Sequence, residues 1–281
     1  MSDLIEKYFT SLTEDLENDR LVLPILPEVA IEVRKVVEDE NATAGQVADI
    51  VCTDPALTAR LLAVVNSPLY RGTAHISHVQ HAVSRLGMTI VTNLVLSLIV
   101  KQLFQGKSGA TAKRLHEVWE HSTQVASISF ALATQFTSLD ADQALLAGLI
   151  HDIGKIPLIT YAEKQPELQS DSDLFDKVVN NLHPRLGATL LEKWGLDDDL
   201  ISVAGGHESI SRISGAKPDY VDLVIVANLQ SHVGSTHPLA SVDFATVPAF
   251  AKLGLDPEVS CVDIAGVAEN AAAAQEMLSL G

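Results

Sequence analysis

Along this chain apolar residues return every three or four positions, the spacing that lines one face of an α-helix. Leu4, Tyr8, Leu12 and Leu16, with Ile5 and Phe9 beside them, make one such face, and Ser2 and Asp3 stand before it as caps. Val29, Val33, Val36 and Val37 repeat the pattern after Pro27. Thr43 and Gln46 then have the spacing of a capping box ahead of Val47, Ile50 and Val51. Asp54 followed by Pro55 predicts a further helix start, because the carboxylate can accept from free backbone N–H groups and proline has none to leave unpaired. Leu57, Leu61, Leu62 and Val65 form its core face. Asn66, Ser67, Pro68 and Gly72 mark a loop, and Gly87 punctuates the chain before an apolar helix from Met88 to Phe104. No two alternating runs are joined by a hairpin turn signal, so the expected fold class is all-α.

The stretch Gly106-Lys107-Ser108-Gly109 is the expected subdomain joint. It divides an N-terminal helical part, residues 1–108, from a histidine-rich helical part, residues 109–281. In the second part Val118, Val125, Ile128 and Leu132 line a helix face, and His121 sits beside that face, where it can look into a cleft. Leu145, Leu146, Leu149 and Ile150 form the buried side of a helix that ends at His151-Asp152, and Gly154 is expected to reverse the chain just after it. The acidic, alanine-rich region from Val242 to Gly281 reads as a helix packing on the core or on a partner.

A chain of 281 residues with 47% hydrophobic content can bury a core in one large or two modest domains. Its longest strongly apolar stretch, Ile90 to Val100, is interrupted by Thr92, Asn93 and Ser97 and falls short of the roughly 20 residues that cross a bilayer, so no membrane span is expected. The first turns carry Asp3, Glu6, Lys7, Glu14 and Asp15 and no apolar signal core, which points to the cytoplasm. With 19 basic and 36 acidic residues the net charge is −17, which disfavours nucleic acid as a partner. Cys52 and Cys261 belong to no Cys-x-x-Cys pair and are expected to be reduced and buried.

The candidate chemistry starts from His151-Asp152, which delivers an imidazole and a carboxylate together. A divalent cation accepts such mixed nitrogen and oxygen ligands, and the carboxylate can bridge two ions and hold a nucleophilic water. The same pair also suits a structural role, the imidazole meeting a helix C-terminus and Asp152 capping the next segment. Lys155 can meet a phosphate or stay solvated. His75, His78, His81, His116, His232 and His237 read as surface or packing residues.

Several segments carry a wider resemblance: Leu23-Pro24-Ile25-Leu26-Pro27, Asp54-Pro55-Ala56-Leu57-Thr58, Asn66-Ser67-Pro68, Arg85-Leu86-Gly87, His151-Asp152-Ile153-Gly154-Lys155 and Trp194-Gly195-Leu196. In their order and spacing, over residues 20 to 232, they resemble the HDOD (HD-related output domain) family of bacterial signalling proteins, within the HD metal-dependent phosphohydrolase superfamily. The resemblance implies an HD-domain-like helical bundle with an N-terminal helical subdomain. It implies a metal set of His121, His151 and Asp152, completed at Ile225-Val226-Ala227-Asn228, where the hydrolases place Asp instead of Asn228. An amide oxygen brings no negative charge and should weaken binding. His183 and His207 resemble histidines used for a second metal or for phosphate. The implied cofactor is a divalent ion, Mn, Mg, Fe, Ni or Zn, and Asp152 and Lys155 are the catalytic candidates if the protein is an enzyme.

Three functions follow from this resemblance. The first is a non-catalytic or weakly catalytic regulatory module with protein partners, the second a phosphohydrolase of nucleotides or other phosphoesters, and the third a nucleotide or phosphate sensor without hydrolysis. Cyclic dinucleotide phosphodiesterases of the superfamily carry a Gly-Tyr-Pro motif, and none of Tyr8, Tyr70, Tyr161 and Tyr220 stands between Gly and Pro, which argues against that activity.

Overall fold

In a computed structural model that describes residues 2–18, 20–21, 23–70, 72–105 and 109–280, the regular elements are all helical, in line with the periodicity. The first part holds α1 (Ser2–Glu17), α2 (Glu28–Val37), α3 (Ala44–Val51), α4 (Pro55–Val65), α5 (Val79–Leu86) and α6 (Met88–Leu103). The second holds α7 (Gly109–Phe136), α8 (Ala141–Ile150), α9 (Lys155–Ala162), α10 (Pro166–Ser170), α11 (Ser172–Lys193), α12 (Asp198–Gly206), α13 (Tyr220–Ser231), α14 (Pro248–Leu253) and α15 (Val267–Leu280). Gly106, Lys107 and Ser108 of the expected joint lie outside the described residues, as do the side chains of Ser2, Asp3, Leu4, Ile5 and Phe9.

The local signals do the work their chemistry suggests. Thr43 accepts from the Gln46 N–H at 3.3 Å while Gln46 Oε1 accepts from the Thr43 N–H at 2.8 Å, closing the capping box of α3. Asp54 accepts from the N–H groups of Ala56 and Leu57 at 2.9 and 3.0 Å and starts α4. Gly87 takes φ 92° between α5 and α6, a conformation a side chain disfavours. The loop after α4 is pinned by side chains: Asn66 Oδ1 accepts from Ile76 N at 2.9 Å and its Nδ2 donates to Ile76 O at 2.8 Å. Arg85 Nη2 donates to the carbonyls of Val65 and Tyr70 at 2.9 and 2.7 Å. Trp194 Nε1 donates to Pro24 O at 3.1 Å and ties the Leu-Pro-Ile-Leu-Pro segment to the end of α11.

Cys261 is buried, but Cys52 is exposed, because it is the C-cap of α3 and stands beyond the face that buries Val47 and Val51. The Val242–Gly281 region resolves in favour of the core: α15 packs on α7 and α4, with Ala274, Met277 and Leu278 buried.

At the centre lies α8, buried from Ala144 to Ile150 and packed on α6, α7, α12 and α13. The run from Ala141 to Ala162 is long and apolar enough to cross a membrane, yet most of its apolar stretch is buried inside the fold. Gly154 does not reverse the chain. It sits at φ −66°, ψ −15°, and α8 continues through one turn into α9. Glycine is needed there for close approach, since a Cβ would meet the His183 carbonyl oxygen and come within 2.5 Å of Gly187 N on α11. Gly148 does the same against α7, where a Cβ would lie 2.6 Å from Ala126 Cα. Gly148→Ala should therefore push α7 and α8 apart at a cost of roughly 1–3 kcal/mol, read as a lower urea midpoint and melting temperature. An unchanged midpoint would show that the two helices yield freely.

Candidate metal centre

Four elements deliver the candidate residues to one buried point. His121 comes from the middle of α7, His151 and Asp152 from the end of α8, His183 from α11 and His207 from the C-cap of α12. His151, His183 and His207 are fully buried, Asp152 is 1% exposed, and His121 lies at the edge of the cluster.

The tautomers follow from the backbone. His151 Nδ1 lies 2.7 Å from Gly148 O, His183 Nδ1 2.9 Å from Val179 O, and His207 Nδ1 3.1 Å from Ala204 O. A carbonyl oxygen only accepts, so each Nδ1 carries the hydrogen, and in the neutral form of each ring the Nε2 lone pair turns inward. His151 thus does meet its helix C-terminus, and that bond frees its other nitrogen for ligation rather than competing with it.

The inward nitrogens pair. His183 and His207 place their Nε2 atoms 3.1 Å apart, and those of His151 and His121 are 3.3 Å apart. Two lone pairs facing each other repel, whereas two nitrogens on one tetrahedral ion at about 2.1 Å would stand about 3.4 Å apart. Asp152 lies between the pairs. Its Oδ2 is 3.4 Å from His151 Nε2 and 3.7 Å from His121 Nε2, and its Oδ1 is 3.2 Å from His183 Nε2 and 3.5 Å from His207 Nε2. The residues therefore form two half-sites sharing one carboxylate, His121–His151–Asp152 and Asp152–His183–His207. Asp152 Oδ1 and Asn228 Oδ1 are buried without a hydrogen-bond partner, the condition of oxygens suited to a cation. The donor set fits a divalent metal ion.

The electrostatics hold the ligands ready. Burial alone would raise the Asp152 carboxyl, but Lys155, with Nζ 2.6 Å from Oδ2, and His151 hold it well below the usual carboxylate range. Burial, then the neighbouring His151, pushes His121 down to about 2 despite the pull of Asp152. Burial also lowers His183. Near neutral pH the carboxylate is charged and these two imidazoles are neutral, the protonation state a metal requires.

Three residues at the rim were not singled out as ligands or site residues by the sequence. Glu208 brings Oε1 to 3.7 Å from His183 Nε2 and 3.9 Å from His207 Nε2, a second carboxylate beside the second half-site. His232 and His237, read above as surface or packing residues, pack beside the cluster, His232 stacked on His121 and the exposed His237 on His232. The one hint was spacing, since His232, the C-cap of α13, follows Asn228 by one helical turn. His116 pairs with Glu120 on the surface, and His75, His78 and His81 are exposed.

The HDOD domain family matches residues 23–210 of this chain. A solved structure from Shewanella amazonensis SB2B, provisionally named a metal-dependent phosphohydrolase, is 26% identical, covers 99% of this chain and 100% of its own, and superposes with a TM-score of 0.84. An HDOD domain protein of unknown function from Geobacter sulfurreducens shares the fold at 22% identity and a TM-score of 0.65, over 91% of this chain and 93% of its own. An uncharacterized protein of Treponema pallidum (strain Nichols) is 23% identical over 221 residues, 74% of this chain but 42% of that protein, so the chain spans less than half of this relative's length. The match over residues 23–210, the all-helical fold and the buried histidine–aspartate cluster together place the chain in the HDOD family.

Proposed function

We propose that this chain is an HDOD-type regulatory module working inside the cell, whose buried cluster holds a divalent metal ion and through it binds a phosphate-bearing ligand, with protein partners reading the result. The observation that supports this is the pairing of inward Nε2 atoms at 3.1 and 3.3 Å around an ionised Asp152. His121, His151 and Asp152 would hold an ion at one half-site, and Asp152, His183 and His207, with Glu208 beside them, at the other. When bound, the ion supplies a Lewis-acidic centre that polarises a phosphate oxygen and acidifies bound water.

The chain's own groups set the balance between binding and turnover. Asn228 brings no charge to the position where hydrolases of the superfamily use aspartate, and Glu208 adds a carboxylate at the opposite half-site. The second half-site is therefore the tighter one. Lys155, whose side chain is 20% exposed while it contacts Asp152, keeps that carboxylate ionised and presents an ammonium to a ligand phosphate at the mouth. Hydrolysis of a phosphoester is the second reading, and the observation favouring it is that both half-sites keep their histidines.

Protein purified without added metal or chelator should carry a divalent ion by mass spectrometry. Asp152→Ala should reduce affinity by at least about 100-fold, beyond the roughly 10–100-fold of an outer-shell change. A phosphatase and phosphodiesterase screen in manganese, magnesium, nickel and iron should give no turnover above that of His151→Ala. Turnover lost in His151→Ala would establish the hydrolase reading, and neither metal nor turnover would sink the proposal.

The neutral-ligand state also predicts acid lability. An unfolded histidine takes up its proton near pH 6.5, whereas folded His121 does so only at about 2. Between these values the unfolded chain binds more protons, so stability falls as the pH drops below about 6.5. Chelator-treated protein should melt at a lower temperature at pH 5.5 than at pH 7.5, and His121→Asn should narrow the gap. Equal melting temperatures at the two pH values would contradict a neutral, buried His121.

A further inference from the structure

Three of the four cluster imidazoles are oriented by a backbone carbonyl on Nδ1. His121 is different: among the described residues no hydrogen bond to its Nδ1 is present, and its ring is held by its faces and edges. His232 stacks on it with centroids 4.9 Å apart and planes 21° from parallel. His237 stacks on His232 in turn, at 3.9 Å and 12°. The outer ring is anchored, since His237 caps the short 3-10 turn Pro238–Ser241 and its Nδ1 accepts from the Leu239 N–H at 3.3 Å. His232 is fixed at its backbone, as the C-cap of α13. Order thus passes from a capped turn, through a ring at a helix end, to the cluster imidazole that lacks a backbone lock.

The stacked geometry also excludes ligation by His232 beside His121. Imidazole lone pairs lie in the ring plane, so two rings stacked nearly parallel direct them alongside each other rather than toward a common ion. His232 accordingly belongs to neither ligand group.

Resting on the metal reading above, we propose that His232 and His237 are positioning residues: their stack fixes the ring of His121 and so sets the affinity of the His121–His151–Asp152 half-site for a divalent cation. The role is the outer-shell orientation that hydrogen bonds perform for the other three histidines, carried out here by ring faces. It predicts an asymmetry, because the Asp152–His183–His207 half-site does not depend on the stack.

Mn2+ titration of the full chain, with free ion read by electron paramagnetic resonance, tests this. His183→Ala leaves the His121 half-site to be measured alone, and His121→Ala leaves the other. In the His183→Ala background, His232→Ala should weaken Mn2+ binding by about 10-fold, while His232→Phe, which keeps a flat ring without nitrogens, should stay within about 3-fold. In the His121→Ala background neither change should matter. Equal affinity with and without His232→Ala, an equal loss in both backgrounds, or a His232→Phe as weak as His232→Ala would each overturn the proposal. A wild-type chain that takes up no Mn2+ would instead overturn the metal reading, so the two failures are distinguishable.

Discussion

A carboxylate that is 1% exposed needs compensation, because an unpaired buried charge is far more unfavourable than a solvated one. Within the chain the ammonium of Lys155 supplies it at Oδ2, 2.6 Å away, while the inward Nε2 atoms of His121, His151, His183 and His207, 3.2 to 3.7 Å from the carboxylate, are placed to share a cation with it. That requirement organises the second half of the molecule. The doublet must sit where α7, α11 and α12 can aim their histidines, which means α8 must approach α7 and the α8–α9 turn must approach α11 at backbone contact. Gly148 and Gly154 meet that demand, one against Ala126 and the other against the His183 carbonyl and Gly187. Packing and site chemistry are one constraint here, since a methyl group at either glycine would move the ligands as it moved the helices.

The first half of the chain was legible because its signals are local. A capping box at Thr43 and Gln46 and an aspartate before Pro55 act within four residues of where they stand, so spacing alone locates the helix starts. The cluster residues His121, His151, Asp152, His183 and His207 were legible through their resemblance to a known pattern, and the structure brings them together. Illegible features depend on chain segments that meet only after folding. Gly154 reads as a turn until the carbonyl of His183 is seen beside it. His237 lies 116 positions from His121, and nothing in its neighbourhood announces a ring stack. Arg85, Asn66 and Trp194 were recognisable as family signatures, while their work of fastening loops to carbonyls appears only in three dimensions.

Charge distinguishes this cluster from a symmetric two-ion site. Asp152 is shared and already engaged by Lys155 through Oδ2, the oxygen that faces the His121 half-site. Asn228 contributes no charge, and the additional carboxylate, Glu208, lies next to His183 and His207. An ion held by His121 and His151 is therefore left with more uncompensated positive charge than one held at the other half, and an anion supplied from solution would relieve it. On the proposed reading, binding of the cation and of a phosphate at that half-site would be favourably coupled, each raising the affinity for the other by the same factor. Because α8 carries the doublet and packs on α6 of the N-terminal part as well as on α7, α12 and α13, the element that would feel occupancy of the site is also one that both parts of the fold share. On the proposed reading a module with that arrangement would need no turnover to be useful: it would need only a ligand whose binding favours one setting of α8 over another.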